Sequence, residues 1–290
     1  MSHQLGKSLP PFYDARVPLI RVNDPDDPRI DAYRNVPDPD LLIQGGLFVA
    51  EGRLVVRRLI EGRRFPVRSV MVTETALVPL RDVLATRDEL TVYLVPQAVM
   101  NGITGFNVHR GCLAIGERPR PRQWRDVLRG ARRAIALERI ANADNVGSVI
   151  RSAAAFGVDA VLLDRTCADP LYRKAIRTSM GAALSVPFAE AEPWPEALRE
   201  LAGVGRVPSD PPWVVLGMTP AASAPPLRAI AAEISSHPVV IVVGHEGDGL
   251  SDAALAACTH RARIPMTSDV DSLNVATAAA IAVYELTRAG

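Results

Sequence analysis

The chain has 290 residues, 48% of them hydrophobic and 22% charged, with a formal net charge of +1 at neutral pH. That length predicts two domains, the apolar fraction is ample for buried cores, and the charged fraction is ordinary for a soluble protein. No run of eighteen apolar residues exists, so no membrane span is expected, and the start lacks the apolar core of a secretory signal.

In chain order, Met1 to Arg34 is charged and Pro-rich and reads as a flexible arm or lead-in strand, within an amino-terminal arm over residues 1–44. Phe48 to Glu61 carries Leu54, Val55, Leu59 and Ile60 at helical spacing. Val67 to Thr73, Leu90 to Val95 and Gly111 to Gly116 read as strands, Pro79 to Thr86 as a helix and Pro96 to Asn101 as a helical turn. Together they predict a small α/β domain over residues 45–117. Alternating Pro and Arg from Glu117 to Arg122 forbid a regular helix and predict a linker over 118–130.

Residues 131–290 then alternate strand and helix. The expected strands are Ala134 to Leu137, Val158 to Leu163, Leu184 to Phe188, Trp213 to Gly217, Val239 to Val243 and Arg261 to Ile264. The expected helices are Val146 to Phe156, Leu171 to Thr178, Trp194 to Leu201, Leu227 to Ile234, Ser251 to Ala257 and Asn274 to Arg288. That alternation predicts a parallel sheet covered on both faces.

Residues 1–130 hold 19 basic and 15 acidic side chains, residues 131–290 hold 14 and 17. All the basic residues except Lys7 and Lys174 are Arg, whose planar fork suits phosphates and stacks on bases. Arg57, Arg58, Arg63, Arg64 and Arg68 cluster within twelve residues. The cluster reads either as a polyanion-binding surface or as a solvated face. Cys112, Cys167 and Cys258 are odd in number and lack metal spacing. They read as small buried residues in a reducing cytoplasm, and no metal is implied.

Three segments carry chemistry. Asn142 to Gly157 follows a strand and opens a helix, at the strand end where open α/β sheets bind ligands. Asn145 suits an N-cap, but Arg151, one and a half turns into an otherwise small and apolar helix, predicts a carboxylate, phosphate or substrate partner. Gly244-His245-Glu246-Gly247-Asp248-Gly249 follows a strand, and three glycines in six residues predict positive φ or close approach of a ligand. It is neither a dinucleotide fingerprint nor a phosphate loop. Glu246 is placed to bind a polar ligand or a guanidinium. Ser272 and Asn274 open the last helix, with Ser272 as a candidate N-cap.

In this order the three segments resemble the signature motifs of the SpoU (TrmH-like) RNA 2'-O-methyltransferases of the SPOUT superfamily. The resemblance covers residues 131–290. A looser likeness over 45–116, at Phe48 to Gly52 and His109 to Ala114, suggests the substrate-binding module related to the ribosomal L30e fold. The resemblance implies an α/β fold whose parallel sheet ends in a trefoil knot, a homodimer formed through the carboxyl-terminal domain, and S-adenosyl-L-methionine as cofactor. Matched position by position, it implies Asn145, Arg151, Glu246, Ser272 and Asn274 as catalytic residues. Gly217, Met218, Thr219, Gly244, Glu246, Gly247, Ile264, Met266, Ser272, Leu273 and Asn274 are expected around the cofactor. Arg57, Arg58, Arg63, Arg64 and Arg110 are expected on RNA. Ala143-Asp144 departs from the common Pro-Gly, so the turn before Asn145 is expected to differ. The expected reaction is ribose 2'-O-methylation of RNA, rRNA in preference to tRNA, in the cytoplasm. The alternatives are a tRNA 2'-O-methyltransferase, a SPOUT enzyme acting on a base nitrogen, or a non-catalytic RNA-binding or assembly protein of the same fold.

Overall fold

A computed structural model describes residues 19–34, 38–104, 111–203, 212–267 and 272–289. The chain forms two compact units, residues 1–119 and 120–290. Among the described residues no helix is long and apolar enough to cross a membrane.

The first unit contains β1 (Leu19–Arg21), α1 (Asp38–Gly45), β2 (Leu47–Glu51), α2 (Arg53–Gly62), β3 (Val67–Val72), α3 (Glu74–Leu77), α4 (Arg81–Leu84), β4 (Thr91–Leu94), α5 (Gln97–Thr104) and β5 (Cys112–Glu117). Its sheet has the order β1-β4-β3-β5-β2 and mixes parallel and antiparallel pairs. Two sequence expectations are corrected here. Phe48 to Glu51 is a strand, because Leu47, Phe48, Val49 and Ala50 form a continuous buried run before Gly52 ends it; the helix begins only at Arg53. The boundary expected at residue 44 is the second: the lead-in strand expected within Met1 to Arg34 is present and is built into this unit. β1 pairs in parallel with β4, and Ile30 and Tyr33 are fully buried, the Tyr33 hydroxyl lying 2.7 Å from Ser69 Oγ.

The second unit contains α6 (Trp124–Val127), β6 (Arg133–Leu137), α7 (Ala143–Ala155), β7 (Ala160–Leu163), α8 (Arg173–Thr178), β8 (Phe188–Glu190), α9 (Glu196–Leu201), β9 (Val214–Met218), α10 (Leu227–Ile234), β10 (Val239–Val243), α11 (Asp252–Ala257), β11 (His260–Ala262) and α12 (Val275–Ala289). Trp124, Val127 and Leu128 lie in its hydrophobic core, so this part of the expected linker is anchored rather than spanning. Ala182 to Leu184 is a 3₁₀ turn and the strand starts only at Phe188, because Pro187 interrupts the expected strand.

The six strands run parallel in the order β11-β9-β10-β6-β7-β8. β10 is Val-Val-Ile-Val-Val, buried throughout, as a central strand covered on both faces should be. Its register brings Val243 opposite Leu137 and Val242 opposite Gly217. The carboxyl ends of β6, β9 and β10 are therefore level, and the segments that follow them emerge at one edge.

α7 starts beside this edge, six residues after β6 ends. Its N-cap is Asn142, whose side chain accepts from the Asp144 amide at 2.9 Å, so the capping role expected of Asn145 falls three residues earlier. α7 packs on both α8 and α12. Close contact with α8 depends on Gly147: a Cβ there would lie 2.6 Å from the Ala175 carbonyl oxygen and 3.0 Å from Thr178 Cβ. Gly147→Ala is expected to destabilise the chain by about 1–3 kcal/mol, because backbone on the facing helix must shift. Denaturant unfolding checks this; a midpoint equal to the parent's would show that the helices separate freely.

Candidate active site

Three polar side chains from three distant segments meet at the carboxyl edge of the second sheet. Asn145 lies in the first turn of α7, Glu246 in the loop after β10, and Asn274 just before α12. Asn145 Nδ2 donates to Glu246 Oε1. Asn274 Nδ2 donates to Asn145 Oδ1 and to Glu246 Oε1, each at 3.0 Å. Asn274 Oδ1 accepts from the amides of Ala276 at 3.0 Å and Thr277 at 3.3 Å, so Asn274, rather than Ser272, caps α12. With its oxygen held by two helix amides, the Asn274 amide has one orientation, and that orientation sets Asn145. The network leaves Asn145 one N–H and one lone pair for a ligand.

The loop carrying Glu246 is closed on itself. His245 bridges Gly249, whose amide donates to the His245 carbonyl at 3.0 Å. Gly244 permits this: a Cβ there would meet the Gly249 carbonyl carbon at 2.4 Å. Gly247 and Gly249 have φ of 110° and 69°, conformations costly for any other residue.

Beside the network lies a cavity of about 260 Å³. Of the residues expected around a cofactor, Met218, Thr219, Gly244, Glu246, Gly247, Ile264, Met266, Ser272, Leu273 and Asn274 line it. Gly217 does not; its missing side chain faces Cys258 Sγ, 2.7 Å from where a Cβ would sit. Pro220, Val243, His245, Gly249, Val275 and Ala278 complete the lining. The walls are largely apolar, with exposed backbone at strand ends and a few polar groups, the usual make-up of a small-molecule site.

Arg151 is exposed on α7 and makes no hydrogen bond or ion pair among the described residues. The expected structural partner is thus absent there, and Glu246 holds Asn145 rather than Arg151. Asp144, at the position expected to alter the turn, has its Oδ2 2.8 Å from Lys174 Nζ, while its Oδ1 accepts from Thr178 Oγ1 at 2.8 Å. Lys174, then Thr178, hold its carboxyl below the usual carboxylate range.

In the first unit, Arg57 is committed to Asp82 through two 2.7 Å contacts and to the Pro79 carbonyl at 2.6 Å. Its guanidinium holds the Asp82 carboxyl down at about 2. Arg58 and Arg63 are exposed, and Arg64 lies over the Phe65 ring at 5.0 Å. Arg110 lies outside the described residues.

Two residues at the edge escaped sequence reading. Glu138, buried at the end of β6, accepts from Trp194 Nε1 at 2.9 Å, Ser251 Oγ at 2.7 Å and the Ser251 amide at 2.8 Å. Arg139 has a left-handed backbone, φ 56°, and its amide donates to Asp164 Oδ2 at 2.8 Å. Its guanidinium donates to the Gly249 carbonyl at 3.2 Å, tying the far end of the Glu246 loop to β6. The available signal was an acid and a base directly after a buried strand. The cysteines are free; Cys112 is buried and the other two half-buried. Burial pushes the Cys167 thiol up to about 12 and the Cys258 thiol up to about 11, so neither is a nucleophile at neutral pH.

Residues 132–284 match the model of the SpoU rRNA Methylase family. An uncharacterized tRNA/rRNA methyltransferase of Mycobacterium bovis is 42% identical over 273 residues, which are 93% of this chain and 92% of that protein. Among solved structures, an AdoMet-bound rRNA methyltransferase from Sinorhizobium meliloti has a TM-score of 0.77 at 24% identity, covering 93% of this chain and 98% of its own. A structure described as an RNA 2'-O ribose methyltransferase has a TM-score of 0.71 at 26% identity, with the same coverage of 93% and 98%. The family model spans the unit in which Asn145, Glu246 and Asn274 converge, and the mycobacterial likeness extends through both units. The chain therefore belongs to the SpoU rRNA methylase family.

Proposed function

We propose that the second unit transfers a methyl group from S-adenosylmethionine to a ribose 2'-hydroxyl of RNA, with rRNA as the substrate class. The observation that carries this reading is the Asn145–Glu246–Asn274 network opening onto the cavity between the loops after β9, β10 and β11. The cavity fits the cofactor chemically: apolar walls at Ile264, Met266, Leu273 and Val275 for the adenine, and strand-end backbone for its polar edge. The 26% likeness to an RNA 2'-O ribose methyltransferase supports a ribose rather than a base acceptor.

When bound, S-adenosylmethionine supplies an electrophilic methyl on a sulfonium. The chain's residues must then present a hydroxyl in line with it; the hydroxyl proton passes to solvent and the electron pair of the broken C–S bond stays on sulfur as S-adenosylhomocysteine leaves. Asn145, with its amide orientation set by Glu246 and Asn274, offers the ribose one donor and one acceptor. Ser272 lines the same cavity with an exposed hydroxyl. Arg151 makes a poor base, because a guanidinium is not deprotonated in proteins. It serves instead as a fork on the phosphate next to the target ribose, lowering the hydroxyl pKa and fixing its direction.

The remaining features of this reading are a carboxyl-terminal trefoil knot, an L30e-like first unit that binds RNA through Arg58, Arg63 and Arg64, and a homodimer formed by the second unit. The homodimer is supported by half-exposed Tyr284 on α12, whose ring is tilted against that of Phe156 at the end of α7 with centroids 5.7 Å apart, and by exposed Ala154 and Ala155 just before Phe156.

S-adenosylmethionine and S-adenosylhomocysteine are expected to bind in the micromolar range, about −8 kcal/mol, and ATP far more weakly; titration calorimetry with no saturation by either sulfur ligand would refute the cofactor. Arg151→Ala is expected to lower the single-turnover methylation rate at least about a hundredfold, or ~2.7 kcal/mol, with melting temperature and cofactor affinity little changed. Arg151→Lys should also fail, because a point charge does not reproduce the fork. Nucleoside digestion of the product RNA then reads ribose against base methylation, and a methylated base would overturn the acceptor assignment.

A further inference from the structure

We propose that His245 recognises the carboxylate at the amino-acid end of the cofactor and makes cofactor affinity depend on pH. The proposal rests on the reading of the cavity as the S-adenosylmethionine site.

That cofactor is only partly apolar. Its adenine suits hydrocarbon walls, but its amino-acid end carries a carboxylate and an ammonium, and a charge taken out of water needs a partner. Among the described residues, two ionisable side chains line the cavity, Glu246 and His245. Glu246 is already engaged by Asn145 and Asn274 through Oε1, and a second carboxylate set against it would be repelled. His245 is the lining side chain that can offer a carboxylate both a positive charge and an N–H donor.

The fold holds the ring where this contact needs it. The loop closes through its backbone, with the Gly249 amide donating to the His245 carbonyl at 3.0 Å, so its shape does not depend on the imidazole. Nδ1 lies 3.8 Å from Asp248 Oδ2 and 4.0 Å from where a Cβ would stand on Gly247, which lines the cavity as His245 does. The side chain is half-exposed and makes no hydrogen bond among the described residues. The charged groups around it are Asp248 and Glu246 from its own loop and Arg139 from the end of β6, whose Nη1 is 3.8 Å from the same Asp248 oxygen. Asp248 stands beside Nδ1, so Nε2 is the nitrogen left to a ligand.

The sign of the pH dependence follows. A histidine changes charge between about pH 5 and 8, whereas an α-carboxylate stays ionised across that range. The protonated ring attracts the carboxylate and the neutral ring does not, so affinity is greatest at the acid end and falls as pH rises.

The experiment uses the full chain, titrated in a calorimeter between about pH 5.5 and pH 8 with two ligands. One is S-adenosylhomocysteine; the other is its decarboxylated analogue, which lacks the carboxylate alone. The parent should bind S-adenosylhomocysteine about tenfold more tightly at the acid end, and the analogue equally at both ends. His245→Gln has a similar reach and no charge. At the acid end it should bind S-adenosylhomocysteine about tenfold more weakly than the parent, with a profile flat in pH, and bind the analogue within about twofold of the parent. An equal loss for both ligands would show that the ring serves another part of the cofactor or the shape of the loop, and would overturn the proposal. A pH dependence that survives in His245→Gln would overturn it as well. A parent that binds S-adenosylhomocysteine with a flat profile would overturn it while leaving the cofactor reading intact. A parent that saturates with S-adenosylhomocysteine at no pH would sink the cofactor reading and this proposal with it.

Discussion

One carboxylate holds together segments far apart in the chain. Glu246 accepts from Asn145, 101 residues before it, and from Asn274, 28 residues after it. Without Glu246, the buried Asn145 amide would lose its acceptor, a loss of about 1–3 kcal/mol for a buried group left unpaired. The site therefore depends on the loop after β10 closing in one conformation. That closure depends in turn on Gly244, where the backbone of Gly249 occupies the space of a side chain.

The level ends of three parallel strands make this convergence possible. Because β10 pairs with β6 and β9 almost in register along its whole length, the segments after Leu137, Met218 and Val243 emerge side by side. Arg139 reinforces the arrangement by reaching from the end of β6 to the Gly249 carbonyl. Small residues set the remaining distances. Gly147 lets α7 lie against the backbone of α8, and Gly217 lets β9 lie against Cys258 after α11. Helices held this close transmit the position of α8 to Asn145 with little slack.

Charge is distributed by commitment rather than by number. Arg57 belongs to a basic cluster of five arginines within twelve residues, yet its fork is taken by Asp82 and the Pro79 carbonyl. Arg151, isolated in the sequence among alanines, stands exposed without an ion-pair partner among the described residues. An exposed ion pair contributes little to stability, but it does decide whether a guanidinium is available to a phosphate.

The alternation of buried β-branched strands with amphipathic helices was legible in the sequence, because periodicity follows from which faces are buried; Val239 to Val243 and Leu227 to Ile234 were placed to the residue. Asn145, Glu246 and Asn274 were also legible, since short polar runs at strand ends and helix starts have few structural uses. The strand at Phe48 was not, because a buried strand leading directly into a helix has no periodicity of its own. Nor was the identity of the caps: Asn142 and Asn274 prevail over Asn145 and Ser272 because hydrogen bonds across segments decide which side chain is free to turn back on its own helix. The commitment of Arg57 and the buried role of Glu138 likewise required the fold, since each is set by a partner at least 25 residues away in the chain.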